Sequence, residues 1–131
     1  MKYLPPFDLI KRPLDIKAVD GSLRITLSYD EFVNILRMML QGVEVDEAWY
    51  KTAYPDIGQA IDEGRVPSAQ HHFLNDGWLE GRLPFAMNVE EDWYLKQYPD
   101  VADFLRRGLL TSAQGHFDED GYKEGRLPYA V

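Results

Sequence analysis

Apolar positions follow two different periods along this chain. Between residues 14 and 27 they alternate, Leu14, Ile16 and Ala18 and then Leu23, Ile25 and Leu27, with mostly polar residues between them. That is the period of a half-buried strand. The segment Val19-Asp20-Gly21-Ser22 divides the two runs and supplies Asp-Gly, the preferred pair for a two-residue type I′ turn. Counting outward from the turn pairs Ala18 with Leu23, Ile16 with Ile25 and Leu14 with Leu27. All six side chains then share one face. Ser28-Tyr29-Asp30-Glu31 has the spacing of a capping box, and Phe32, Val33, Ile35, Leu36, Met38, Met39 and Leu40 follow it. A helix over 30–41, capped by Gly42, is predicted to be the core against which the hairpin and the rest of the chain pack.

From Val45 onward the pattern turns helical and repeats at a spacing of 44 residues, 45–87 against 89–131. Without gaps, 21 of 43 aligned positions are identical. They include Trp49-Tyr50 and Trp93-Tyr94, Tyr54-Pro55-Asp56 and Tyr98-Pro99-Asp100, Ser68-Ala69-Gln70 and Ser112-Ala113-Gln114, and the Glu-Gly-Arg-Leu-Pro closing each copy. Three short helices per copy are predicted. The first starts near Val45 or Val89, with Asn88 and Glu91 spaced as a capping box, and ends before the proline. Its apolar face is Trp49, Tyr50 and Ala53, or Trp93 and Tyr94, with the tryptophans as the buried members. Pro55 and Pro99 open the second helix, which carries Ile57, Ala60 and Ile61, or Val101, Phe104 and Leu105, and ends at Gly64 or Gly108. Ser68 and Ser112 cap the third, which stops at Gly77 or Gly121. The fold class is therefore mainly α with a small N-terminal β-hairpin and a tandem duplicated helical repeat. The segments are 1–44, 45–87 and 88–131. Two copies are too few for a free-standing solenoid, so they are expected to pack into one compact domain.

Charge narrows the function. The chain of 131 residues has 14 Lys+Arg against 22 Asp+Glu, a net −8. That balance argues against nucleic acid, whose binders present a basic patch. No run of 18 apolar residues exists to span a membrane. The first residues, with paired prolines and charges, lack the apolar stretch of a signal peptide, and there is no cysteine. A cytoplasmic location is expected.

Three sets of residues can carry chemistry. His72 and His116 occupy equivalent positions, with Asp76 and Asp120 one helical turn further on and His71 as a third imidazole. They read as metal or acid–base sites, or as His–Asp pairs that fix a helix end. A metal needs three or four converging ligands, and no His-x₃-His or Cys pair supplies them. Arg82 and Arg126 can grip a phosphate or carboxylate through the guanidinium fork, or pair internally with Asp56 and Asp100. Trp78 and Tyr122, with Tyr50 and Tyr94, can stack on sugars or form an interface hot spot if exposed. No nucleophile elbow, phosphate loop or dinucleotide fingerprint occurs, so no catalytic residue, metal or cofactor is expected.

The repeated motif Trp-Tyr, Tyr-Pro-Asp-(Ile/Val), His-Phe and Asp-Gly-(Trp/Tyr)-x-x-Glu-Gly-Arg-x-Pro resembles a short helical repeat of bacterial surface and calcium-repeat exoproteins. It is also similar to segments attached to glycosyltransferases of polysaccharide clusters. The resemblance covers 45–131. Tyr54 and Tyr98 stand where that family usually has Asn, so its helix cap is not reproduced. The family pattern is structural and brings no catalytic residues. It implies a bacterial origin and a context of extracellular glycans.

The function expected is a small non-enzymatic protein-interaction or accessory module linked to surface polysaccharide machinery. Its partner is another protein, with a homodimer through the N-terminal segment as a further expectation. The alternative is a glycan-binding or polysaccharide-assembly factor, and an enzyme using His72 and His116 is the third reading.

Overall fold

Asp20 and Gly21 both take positive φ, 50° and 76°. This is the backbone a type I′ turn demands, and it joins β1 (Asp15–Val19) to β2 (Ser22–Thr26) as an antiparallel hairpin. Ile16 faces Ile25 and Ala18 faces Leu23, the register counted from the turn. A computed structural model describes residues 3–131 of the chain. Among these residues it is mainly α-helical, with the hairpin as its one sheet. The chain divides into two compact units, residues 3–85 and 86–131 of the described part.

In the first unit a short α1 (Phe7–Lys11) precedes the hairpin; the paired prolines hid it from sequence reading. α2 (Tyr29–Leu40) begins with the expected capping box, the Ser28 hydroxyl accepting from the Glu31 amide while Glu31 reaches back. Two expectations for this region fail. Gly42 has no left-handed φ; instead its missing side chain lets the Tyr3 backbone pass against it. Nor is α2 a core helix, because Val33 is its one buried residue, while Phe32 and Met39 remain exposed. The hairpin lies open throughout, with Leu23 at 76% and Ile25 at 51% exposure. Among the described residues of the first unit, no helix packs substantially on it.

The repeat of the first unit follows as α3 (Glu47–Ala53), α4 (Pro55–Asp62) and α5 (Ala69–His72), the last running into a π-helical turn, Phe73–Gly77. Its core is Tyr50, Ala69 and Phe73, flanked by Trp49, Ile57, Ile61 and Trp78. Tyrosine, not tryptophan, is the fully buried member of the pair, and Ala53 is exposed. The second unit repeats this order within itself: α6 (Glu91–Gln97), α7 (Pro99–Arg106), α8 (Ala113–His116) and a π-helical turn, Phe117–Gly121. Its core is Tyr94, Val101, Ala113 and Phe117, and Phe104 is left outside. The capping box at Asn88 is not formed. α6 starts at Glu91, with Glu90 at its cap and no side-chain bond there.

Each repeat closes on itself. The Asp46 amide donates to the Pro84 carbonyl over 3.0 Å, and the Glu90 amide to that of Pro128 over 2.9 Å. Gly64 and Gly108 end their helices at φ 73° and 72°, a conformation that glycine adopts without strain.

Candidate functional site

The conspicuous polar residues of each copy converge on one small assembly. His72 sits at the end of α5 because Ser68 caps that helix, its hydroxyl accepting from the His71 amide. From there its Nδ1 meets the Tyr50 hydroxyl, 2.8 Å away in the core of the repeat. The Glu80 carboxylate lies 3.9 Å from Nε2. In the second unit Tyr94 and His116 make the same 2.8 Å bond. The approach requires a glycine, since a methyl group on Gly77 or Gly121 would overlap the tyrosine hydroxyl. The π-helical turn carries that glycine past the ring, its Trp78 amide reaching back five residues to the Phe73 carbonyl.

Beside this pair, Arg82 grips Asp56 with both Nη atoms, at 3.2 and 3.1 Å, and gives its Nε to Glu80 at 2.8 Å. Its guanidinium also lies 4.9 Å over the Tyr54 ring, and the Tyr54 hydroxyl accepts from the Leu83 amide. Arg126 repeats each contact with Asp100, Glu124 and Tyr98. These arginines thus fasten the Glu-Gly-Arg-Leu-Pro segment to the start of the second helix.

Electrostatics follow from the geometry. Burial pushes the Tyr50 hydroxyl up to about 12, partly opposed by Arg82, and Tyr94 is raised for the same reason. Hydrogen bonds from Arg82 and Arg126 hold Asp56 and Asp100 below the ordinary carboxylate value, and both guanidiniums are raised in return.

The residues singled out by sequence are placed as follows. The histidines pair with tyrosines, while Asp76 and Asp120 are exposed on their turns. Tyr50 and Tyr94, interface candidates by sequence, are fully buried, because a tyrosine can fill a core and still find a partner for its hydroxyl. Trp78 and Tyr122 are half-buried against the cores. Among the described residues no three of His, Asp and Glu converge as metal ligands would. A shallow cleft lined by Lys51, Gly58, Gln59 and Asp62 is bordered by none of these residues.

Sequence reasoning missed the glutamines. Gln70 accepts from the Val45 amide at 3.1 Å and donates to the Val43 carbonyl at 2.9 Å, and Gln114 does the same for Val89 and Met87. Identity of Ser-Ala-Gln in both copies was the available signal. No protein-family model, curated protein or solved structure matches this chain.

Proposed function

We propose that the protein is a non-enzymatic interaction module whose repeats are rigid scaffold and whose N-terminal segment is the contact surface for another protein. The observation that carries this reading is a contrast within the first unit. The Tyr50 and His72 side chains of the repeat bond to each other and Arg82 bonds to Asp56, whereas the N-terminal segment leaves Leu4, Phe7, Leu23, Ile25, Tyr29 and Phe32 each about half exposed or more. Grouped apolar exposure of this kind marks protein-binding surface. The motif's resemblance to repeats of polysaccharide clusters supports surface-polysaccharide machinery as the setting. Affinity capture from the bacterium that makes the protein, with wild type beside Leu23→Lys/Ile25→Lys, tests the proposal. A protein retained by wild type and lost with the double variant is expected. Equal recovery with both baits would overturn it.

A further inference from the structure

We propose that β1 is a self-complementary edge through which two copies of this chain join into one four-stranded antiparallel sheet. The inference rests on reading the N-terminal segment as contact surface, and it names a second copy as an occupant. A two-stranded hairpin is marginal in water unless it packs on a helix or gains further strands. Among the described residues of the first unit this one packs on nothing substantial, yet it carries Ile16, Leu23 and Ile25 exposed on one face.

The register follows from hydrogen-bond parity. In a hairpin closed by a two-residue turn the flanking pair, here Val19 with Ser22, is hydrogen-bonded, and bonded pairs alternate from there. Lys17–Arg24 and Asp15–Thr26 therefore exchange bonds within the hairpin. Ile16 and Ala18 turn their backbone groups to the open edge. Two β1 strands related by a two-fold axis at Ile16 satisfy those groups: Ile16 bonds Ile16 of the second copy, and each Ala18 amide meets the other copy's Leu14 carbonyl. The Leu14 amide is already taken by the Lys11 carbonyl, which costs this pairing one donor per copy.

Charge selects this axis over its neighbours. Asp15 and Lys17 lie on the polar face and pair with each other at 3.5 Å. Centring on Ile16 sets each Asp15 directly opposite the other copy's Lys17, twice over, and Arg24 across the hairpin adds a second cation to that face. Centring on Lys17 would oppose two lysines, and centring β2 on Arg24 two arginines. The apolar pairs also match, Ile16 on Ile16 and Leu14 on Ala18, which extends one apolar face across four strands.

Sedimentation equilibrium from low micromolar to millimolar concentration tests this, with far-UV circular dichroism confirming the fold of each variant. Wild type should move from 15.2 kDa to twice that mass. Asp15→Lys or Lys17→Asp alone should weaken the dimer about tenfold or more, and the double exchange should restore it. Ala18→Pro, which removes an edge donor and no hairpin bond, should leave a monomer. A monomer at every concentration overturns the proposal, as does a dimer indifferent to the single exchanges or not rescued by the double one. A monomeric chain that still retains another protein through Leu23 would overturn strand pairing alone, and a dimer obeying the charge pattern in a chain that retains no other protein would overturn the module reading alone.

Discussion

Tyr50 and His72 depend on a residue with no side chain, because the Tyr50 hydroxyl occupies the space a methyl group on Gly77 would need. Gly77→Ala should therefore cost about 1–3 kcal/mol, the range for overpacking a filled site, measured as a lower urea midpoint. Tyr50→Phe leaves the buried His72 Nδ1 unpartnered and should cost about 1–3 kcal/mol by the same measurement. Stability should also depend on pH at both extremes. Tyr50 ionises near 10 when unfolded but near 12 in the fold. Its contribution is full below 10 and is lost as pH rises from there to about 12, since only the unfolded chain releases the proton in that window. Asp56 and Asp100 behave oppositely. Their folded values lie below 3.8, so their contribution is present above that pH and is lost as pH falls through the depressed values. Asp56→Asn with Asp100→Asn should flatten the acid limb of a stability–pH profile and leave the alkaline limb in place. A parallel acid limb in the double variant would assign the loss to other carboxylates.

Helix boundaries were largely legible because they are local chemistry. Prolines at 55 and 99, serines at 68 and 112 and glycines at 64 and 108 act on their own backbone neighbours, and all six stand at the expected ends. The start of α6 was not, because Asn88 lies inside the stretch 87–90, where Met87, Val89 and Glu90 bond across the repeat to Gln114 and Pro128 and hold the chain extended. Asp46 caps α3 through the Trp49 amide at 3.0 Å, while Glu90, one methylene longer, makes no such bond in α6. Asp46→Ala should accordingly cost about 1 kcal/mol, and Glu90→Asp should raise stability by a similar fraction. Thermal unfolding of the two variants checks both signs. The π-helical turns were equally invisible to pattern: Gly77 and Gly121 mark the end of the third helix correctly, but nothing in the local sequence marks the extra residue per turn that sets each glycine against a tyrosine hydroxyl.

At the scale of the whole chain, the differences between the copies carry as much information as the identities. Leu74 and Leu79 lie in the first unit where α2 packs against the π-helical turn, with Arg37 donating to the Asn75 carbonyl at 2.9 Å. The corresponding residues of the second unit are Asp118 and Lys123, and Asp118 is exposed. Leu74→Asp should therefore loosen α2, seen as faster amide exchange over 29–40 with unchanged exchange over 91–121. Residues 86–131 hold the Arg126–Asp100, Gln114–Met87 and Glu90–Pro128 bonds entirely among themselves. Expressed alone, they should melt cooperatively by circular dichroism; a featureless melt would show that closure needs the rest of the chain. By itself the sequence determined the mainly α class, the hairpin register and most helix ends, since periodicity, turn residues and caps act within a few residues of where they stand. Tertiary structure alone decided that tyrosine rather than tryptophan is buried, that the histidines bond to it rather than to Asp76 and Asp120, and that the apolar face of the hairpin is exposed. Those outcomes depend on which surfaces meet across 22 or more residues of chain, and a pattern of apolar positions says that a side chain can be buried without saying what will cover it.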